Sequence, residues 1–270
     1  MTLLSAKVGK QVVKTDRIQL TYRLKFTTPF HCGTGLRSGF IDYPVVRDAR
    51  DNVYVPGSTF KGVVREHCEQ LSRFYTLRDD DEIHQRIASL HNERQALLSI
   101  QGPSTMVTRI FGSRYQPGQL FFDDARQPEE EVWQSDSEEQ SSHRSIQTDS
   151  GMRTRLDRPA QTTVPGVLRV SEFGLKDLVL YGSICGWLTC TALANIEGEP
   201  SYSLLLLLAG LCMLTQLGGS RSAGKGQCVC EITQLSVNSR EVSSATWLSW
   251  LDHLDVLLLY SKDAAQEEGE

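Results

Sequence analysis

Ile18, Leu20, Tyr22, Leu24 and Phe26 alternate with polar residues, and this period of two constrains the fold most. It requires a strand with one face buried and one face wet. Such a strand needs partners and a covering layer, and the rest of the chain offers both. Pro56-Gly57-Ser58 opens a helix with Ser58 as its N-cap. Phe60, Val63, Val64, His67, Cys68, Leu71 and Phe74 recur along that helix at helical spacing. Met106 to Phe111 and Gln119 to Asp123 read as strands, as do Val164 to Glu172 and Leu178 to Leu193. Ser201 begins a helix running to about Leu217, and Gln227 to Gln234 reads as a closing strand.

The order is strand, helix, two strand regions, helix, strand. This split βαβ order predicts an α+β, ferredoxin-like (RRM-like) βαββαβ core. Tyr43 to Arg47 and Val53 to Val55 are expected as short strands. A helix over Asp81 to Leu98 and another over Trp247 to Tyr260 decorate the core. A long insertion follows Ala125. The 270 residues suit one large domain, 1–270, carrying that insertion.

The most apolar stretch, Tyr202 to Leu217, is about 16 residues, short of the ~20 that cross a bilayer. It predicts a buried helix and no membrane span. The first residues, MTLLSAKVGKQVVKTD, hold no apolar run of signal-peptide length, so a cytoplasmic protein is expected. The seven cysteines form no CxxC pair and read as thiols in a reducing compartment, not as a zinc site. The net charge is −5, but it is unevenly placed. Asp123 to Gln140 holds eight acids against Arg126 alone, and Asp263 to Glu270 holds four more. Asp123 and Asp124, at a strand end, read as solvated turn acids. Without these two stretches the chain is net positive, and local patches decide where a polyanion binds. Residues 261–270 read as an acidic disordered tail.

Two glycine-rich stretches could carry chemistry. In TPFHCGTGLRSGFIDYPVVRDARDNVYVPGSTFKGVVRE, residues 28–66, Gly33, Gly35 and Gly39 let a ligand approach the backbone, with Arg37 between them. Lys61 and Arg65 share one face of the first helix near its N-terminus, a natural seat for phosphate. Turns plus a solvated helix face would explain the same residues. In GGSRSAGKG, residues 218–226, four glycines surround Arg221 and Lys225. The order is not that of a Walker loop, because the stretch follows a helix instead of preceding one. Two serines and two cations among glycines fit a phosphate backbone, although a helix C-cap with a long turn is the alternative.

PGSTFKGVVRE and GGSRSAGKG together resemble the paired signatures of the RAMP superfamily, the RNA-binding proteins of CRISPR antiviral defense. HCGTG…GFIDYPVVRD…VYVPGSTFKG resembles the repeated backbone subunit of type III effector complexes, of the Csm and Cmr kinds. RIFGSRYQPGQLFFDDA and RLDRPAQTTVPGVLRVSEF extend the resemblance to about Ile18–Leu235. It implies a subunit that binds CRISPR RNA and target RNA, alongside other type III subunits and further copies of itself. It also implies a hairpin thumb, here over 125–170, that kinks the duplex, and a metal-dependent endoribonuclease (a hydrolase) that cuts target RNA.

Asp42 matches the family's cleaving aspartate, with a weakly held Mg²⁺ or other divalent cation at the same residue. His31 matches a histidine of the family's first loop. The RNA-binding set is then His31, Arg37, Ser58, Lys61, Arg65, Gly219, Arg221, Ser222 and Lys225. Phe40 and Tyr43 are candidates for base stacking, while Phe30 suits the core better. A catalytically inactive structural subunit, with Asp42 as a turn residue, is one alternative. A CRISPR RNA-processing nuclease using His31 is another. A nucleotide-binding enzyme is disfavoured by the absence of P-loop or Rossmann spacing.

Overall fold

The computed structural model describes residues 14–75, 106–112, 117–128, 147–157, 159–190 and 200–259. The helix expected over Asp81–Leu98, most of the acidic insertion and the tail at 261–270 lie outside the described residues.

Alternation sets strand β1, Lys14–Phe26. Its even-numbered residues from Ile18 to Phe26 are fully buried. Helix α1 is Gly57–Phe74. A short helix α2, Met106–Phe111, and strand β2, Leu120–Phe122, follow. Strands β3, Thr148–Asp157, and β4, Thr162–Gly174, make a hairpin. After β5, Val179–Cys190, comes helix α3, Tyr202–Cys212. Strands β6, Cys228–Val237, and β7, Arg240–Glu241, lead into helix α4, Ser244–Leu251. The five-stranded sheet has the order β2-β5-β1-β6-β7, with β3-β4 forming a separate two-stranded sheet. Neighbouring strands are antiparallel. With β1 and β5 central and β2 and β6 flanking them, the core β1-α1-β2-β5-α3-β6 has the expected ferredoxin-like order.

Both core helices lie on one face of the sheet. Phe60, Val63, Val64 and Cys68 form the buried stripe of α1. Tyr22 of β1 stacks on Phe60 with ring centroids 4.2 Å apart. Helix α3 is buried on every side from Tyr202 to Leu211, so it is the centre of the core and not a surface helix. Each fully buried leucine there is worth about 1.5–3 kcal/mol relative to exposure. Gly210 lets α3 approach α1 closely, since a Cβ there would stand 2.4 Å from Cys68 Sγ. Phe30 is fully buried and stacks on Phe26. Among the described residues no helix is long and apolar enough to cross a membrane.

Several local expectations are corrected. Met106–Phe111 is a helix, not a strand. Tyr43 to Arg47 and Val53 to Val55 make isolated bridges instead of strands. Helix α3 starts as read, with the Ser201 side chain accepting from the Leu204 N–H, but it ends at Cys212. The chain beyond turns at Met213 and reaches a bridge between Gln216 and Gln227. The C-terminal helix is split into α4 and a 3-10 turn at Leu254–Leu259. The hairpin extends past Val170 to Gly174.

Candidate functional site

The root of the β3–β4 hairpin gathers the first loop and the glycine loop around β4. Asp42 lies there because the backbone from Phe30 to Arg47 runs beside β4. The N–H groups of Asp42 and Tyr43 donate to Val170 O at 2.9 and 3.1 Å, and Glu172 N–H donates to Tyr43 O at 2.9 Å. One carboxylate oxygen of Asp42 accepts the Val170 N–H at 2.8 Å. The other is ion-paired with the Arg37 guanidinium. The Val170 N–H, helped by Arg37 and Arg169 against partial desolvation, holds the Asp42 carboxyl below its usual range. Asp42 is thus an anchored, ionised acceptor and a weak base. The Arg37 side chain is 78% exposed while that of Asp42 is 15% exposed, so the guanidinium can leave more readily than the carboxylate can move. Phe40, 98% exposed, and Leu36 lie on the same loop. The Tyr43 hydroxyl accepts from Arg169 at 3.1 Å.

Glu172, two residues along β4, is the buried hub of this arrangement. One carboxylate oxygen accepts the Val45 N–H at 3.0 Å, and the other is ion-paired with Arg47. Burial pushes its pKa up, but Arg47, the Val45 N–H and Thr148 outweigh this and hold it below the usual value. Arg47 also donates to Thr148 Oγ1 at 2.8 Å and to Asp51 O at 2.9 Å. Nearby, Gln147 Oε1 accepts the Val53 N–H at 2.7 Å. The sequence reading missed Glu172, Arg47 and Gln147. Glu172 and Arg47 showed only as polar residues within strand-like segments, and Gln147 lies in the stretch read as the insertion.

His31 meets the same edge of β4 further along, with Nδ1 2.8 Å from Glu172 O. A carbonyl can only accept, so Nδ1 carries the proton. The backbone O of His31 accepts from Gly219 N–H at 2.7 Å, and Pro29 O accepts from Gly226 N–H at 2.9 Å. These bonds seam the two glycine-rich stretches together. Gly218 is required in the seam: its φ is +92°, and a Cβ would stand 2.5 Å from His31 O. The loop brings Lys225 Nζ to 4.9 Å from the centre of the Phe173 ring, which Arg153 of β3 also approaches at 5.4 Å. Phe173 is therefore held by two cations and by the edge of His31.

The remaining site residues lie on α1 or exposed on the loop. Arg221 pairs with Glu66 of α1 at 3.3 Å, and Ser222 is exposed. Arg65 pairs with Glu69 at 2.8 Å. Lys61 lies 5.6 Å from the Phe122 ring centre, and burial followed by repulsion from Arg65 lowers its pKa. So α1 meets the glycine loop through Glu66, while Lys61 points to the β2 side. The N-terminus of α1 corrects two readings. Ser58 is exposed and does not cap the helix, whose N-cap position is Pro56 with no side-chain bond. Asp124, expected as a solvated turn acid, accepts the Gly57 N–H at 2.9 Å. A carboxylate thus already occupies part of the expected phosphate seat. Asp123, read the same way, is bonded to the Ser183 hydroxyl.

The donors around Asp42 do not fit a resident divalent cation. It is a single carboxylate with both oxygens engaged, and among the described residues no group of three His, Cys, Asp or Glu could hold a metal. Hard cations need several oxygen ligands.

Fold and site define an α+β ferredoxin-like domain with an inserted hairpin and a cationic glycine loop seamed to its root. The sequence matches the family model of the RAMP superfamily over residues 23–229, and the chain belongs to that superfamily. No curated protein matches the sequence. Among solved structures, the chain is similar to one in the cryo-EM structure of the Type III-B Cmr-beta bound to cognate target RNA. The identity is 13%, with a TM-score of 0.49 over 79% of this chain and 96% of that one. It is also similar to a chain of Type III-B Cmr-beta in the apo state, at 12% identity and a TM-score of 0.46, over 80% and 97%.

Proposed function

We propose that this chain is an RNA-binding backbone subunit of a type III CRISPR effector complex, and that Asp42 takes part in cutting target RNA. Membership of the RAMP superfamily supports the first part. One observation carries the second: Asp42, His31 and the loop bearing Lys225 are all tied to residues 170–173 of one hairpin. RNA lying along that root meets an anchored carboxylate, an exposed guanidinium and exposed aromatic rings together. Guide and target RNA, other subunits of the complex and further copies of this chain are the partners on this reading.

In the cleavage step the 2′-OH oxygen attacks the adjacent phosphorus. The 2′-O–P bond forms and the P–O5′ bond breaks, leaving a cyclic 2′,3′-phosphate. The 2′-OH proton passes to solvent, and the leaving 5′ oxygen takes a proton from solvent. A carboxylate with a lowered pKa is a poor proton acceptor but a good hydrogen-bond acceptor, so Asp42 orients the 2′-OH. Arg37 moves from Asp42 to the phosphate, where it offsets the growing charge. Phe40 stacks on a base beside the splayed nucleotide.

The engagement of both Asp42 oxygens specifically favours a second reading, in which the carboxylate only fastens the loop to the hairpin. Cleavage of complementary RNA by the assembled complex, with and without Mg²⁺, separates the two. Asp42→Asn keeps an acceptor for Val170 and loses the negative charge. If this variant binds target normally and stops cutting at this subunit's sites, the cleavage reading holds. If cutting persists at those sites, Asp42 is a fastener and the subunit is a scaffold.

A further inference from the structure

One face of the β3–β4 hairpin is dominated by cations. Residues paired directly across an antiparallel ladder share a face, and Arg153 of β3 is paired with Arg169 of β4. Toward the root come Gly151 with Ser171, then Asp149 with Phe173. Tyr43 is bridged to Ser171 beside them, and the glycine loop brings Lys225 to Phe173. Like charges directly opposite each other destabilise a hairpin, so the Arg153–Arg169 pair is a cost to the free chain.

Each cation is held by a neutral partner. Arg153 lies 5.4 Å from the centre of the Phe173 ring, and Lys225 Nζ lies 4.9 Å from it. The ring lies over Gly151, where a Cβ would stand 3.3 Å from Phe173 Cε2. Arg169 donates to the Tyr43 hydroxyl at 3.1 Å. A ring face or a hydroxyl orients a cation without cancelling its charge. Among the described residues, Arg153, Arg169 and Lys225 form no ion pair. The nearby acids are engaged elsewhere. Asp42 is paired with Arg37 and Glu172 with Arg47. Asp149, at the root end of the same face, accepts the Ser150 N–H at 2.8 Å. Three cations against that one acid leave the face positive.

The Tyr43 oxygen accepts from Arg169, so the hydroxyl hydrogen is left to donate. Two guanidinium groups and an O–H therefore stand side by side with donors to spare. A phosphodiester offers charged oxygens that take guanidinium forks and hydroxyl donors together. We propose that Arg153 and Arg169, with the Tyr43 hydroxyl, clamp one phosphate of the bound RNA strand. The clamp rests on the reading of this chain as an RNA-binding subunit, and it names the contact that fixes the strand beside Asp42. Lys225 makes a contact of its own.

The test uses the full chain and a short oligouridine, read by fluorescence anisotropy over a salt series. An Arg153→Gln, Arg169→Gln double variant is expected to bind about tenfold more weakly. It lowers the slope of log affinity against log salt by roughly 0.7, the value for one phosphate. Tyr43→Phe weakens binding severalfold with no change in slope, because it removes a donor and no charge. Arg240→Gln, on β7, changes neither. A second arm needs no RNA. Inorganic phosphate, compared with chloride at equal ionic strength, raises the melting temperature of the parent by about 2 °C or more and leaves that of the double variant unmoved. Arg153, Arg169, Tyr43 and Arg240 are all exposed, and far-UV circular dichroism confirms that each variant is folded.

A slope lowered by about 1.4 in the double variant overturns the clamp, because each arginine then holds its own phosphate. RNA binding with an unchanged slope overturns it too, and so does loss of binding to another protein chain with RNA binding intact. A parent that binds no oligouridine, yet is stabilised by phosphate through these two arginines, instead refutes the RNA-binding reading and with it the RNA occupant.

Discussion

Replacing Glu172 with alanine tests how firmly the hairpin root is built. The carboxylate accepts the N–H of Val45, a residue only 2% exposed. Losing a buried acceptor leaves that donor unpaired, at a cost of about 1–3 kcal/mol. The Arg47 side chain also loses its carboxylate, but it is 28% exposed. It retains Thr148 Oγ1 and Asp51 O at 2.8 and 2.9 Å. Solvent screening therefore limits the lost ion pair to about 1 kcal/mol. The sum is about 2–4 kcal/mol, or a fall in melting temperature of roughly 4–16 °C for a chain of this size. Glu172→Gln keeps an oxygen for the Val45 N–H and gives up only the pairing with Arg47, so it costs about 1 kcal/mol. Thermal and urea unfolding of the full chain supply both numbers. An alanine variant that melts within about 1 °C of the parent would refute the reasoning. A glutamine variant as damaged as the alanine one would show that the charge, not the buried N–H, carries the effect.

Asp124→Ala removes the carboxylate that accepts the Gly57 N–H at the start of α1. It should destabilise the chain by about 1 kcal/mol in urea unfolding, whereas Ser58→Ala should change little because Ser58 caps nothing. Gly218→Ala places a side chain at a positive φ and against His31 O, so it should cost more than about 1 kcal/mol and weaken RNA binding with it. Lys225→Ala should lower the slope of log affinity against log salt for single-stranded RNA by roughly 0.7. The folded-state pKa values of Glu172 and Asp42 lie below their ordinary values. Their stabilisation is therefore complete above the unfolded carboxylate range and is lost as pH falls through the folded values. Unfolding free energy measured from pH 7 to pH 3 should fall, and the Glu172→Gln variant should show a shallower fall.

Local pattern carried the core and failed where structure is set by distant partners. The alternation in β1 and the helical stripe of α1 each reflect one buried face, which a sequence displays directly. MVTRIF is too short for its period to separate strand from helix, and its packing against α1 and α3 decides for helix. Asp124 looked like a turn acid because its donor, Gly57, is 67 residues away. Glu172 looked like an ordinary strand residue because Arg47 is 125 residues away. Asp42 was legible only through the motif around it. What that motif did not display is the Val170 N–H, which lowers the carboxyl pKa and ties the loop to the hairpin.

The ties to β4 couple the hairpin to the site itself. Asp42 and Tyr43 bond to Val170, Tyr43 and Val45 to Glu172, Phe30 to Gly174, and His31 to Glu172 O. Successive residues of one strand therefore hold the carboxylate, the histidine and the aromatic rings of the first loop. A tilt of the hairpin would carry Asp42 with it, because breaking those bonds one by one would strand buried donors and acceptors. Arg37, on the exposed side, is the one partner of Asp42 not fastened to that strand. The root is thus fastened where the carboxylate is held and exposed on the side of Arg37.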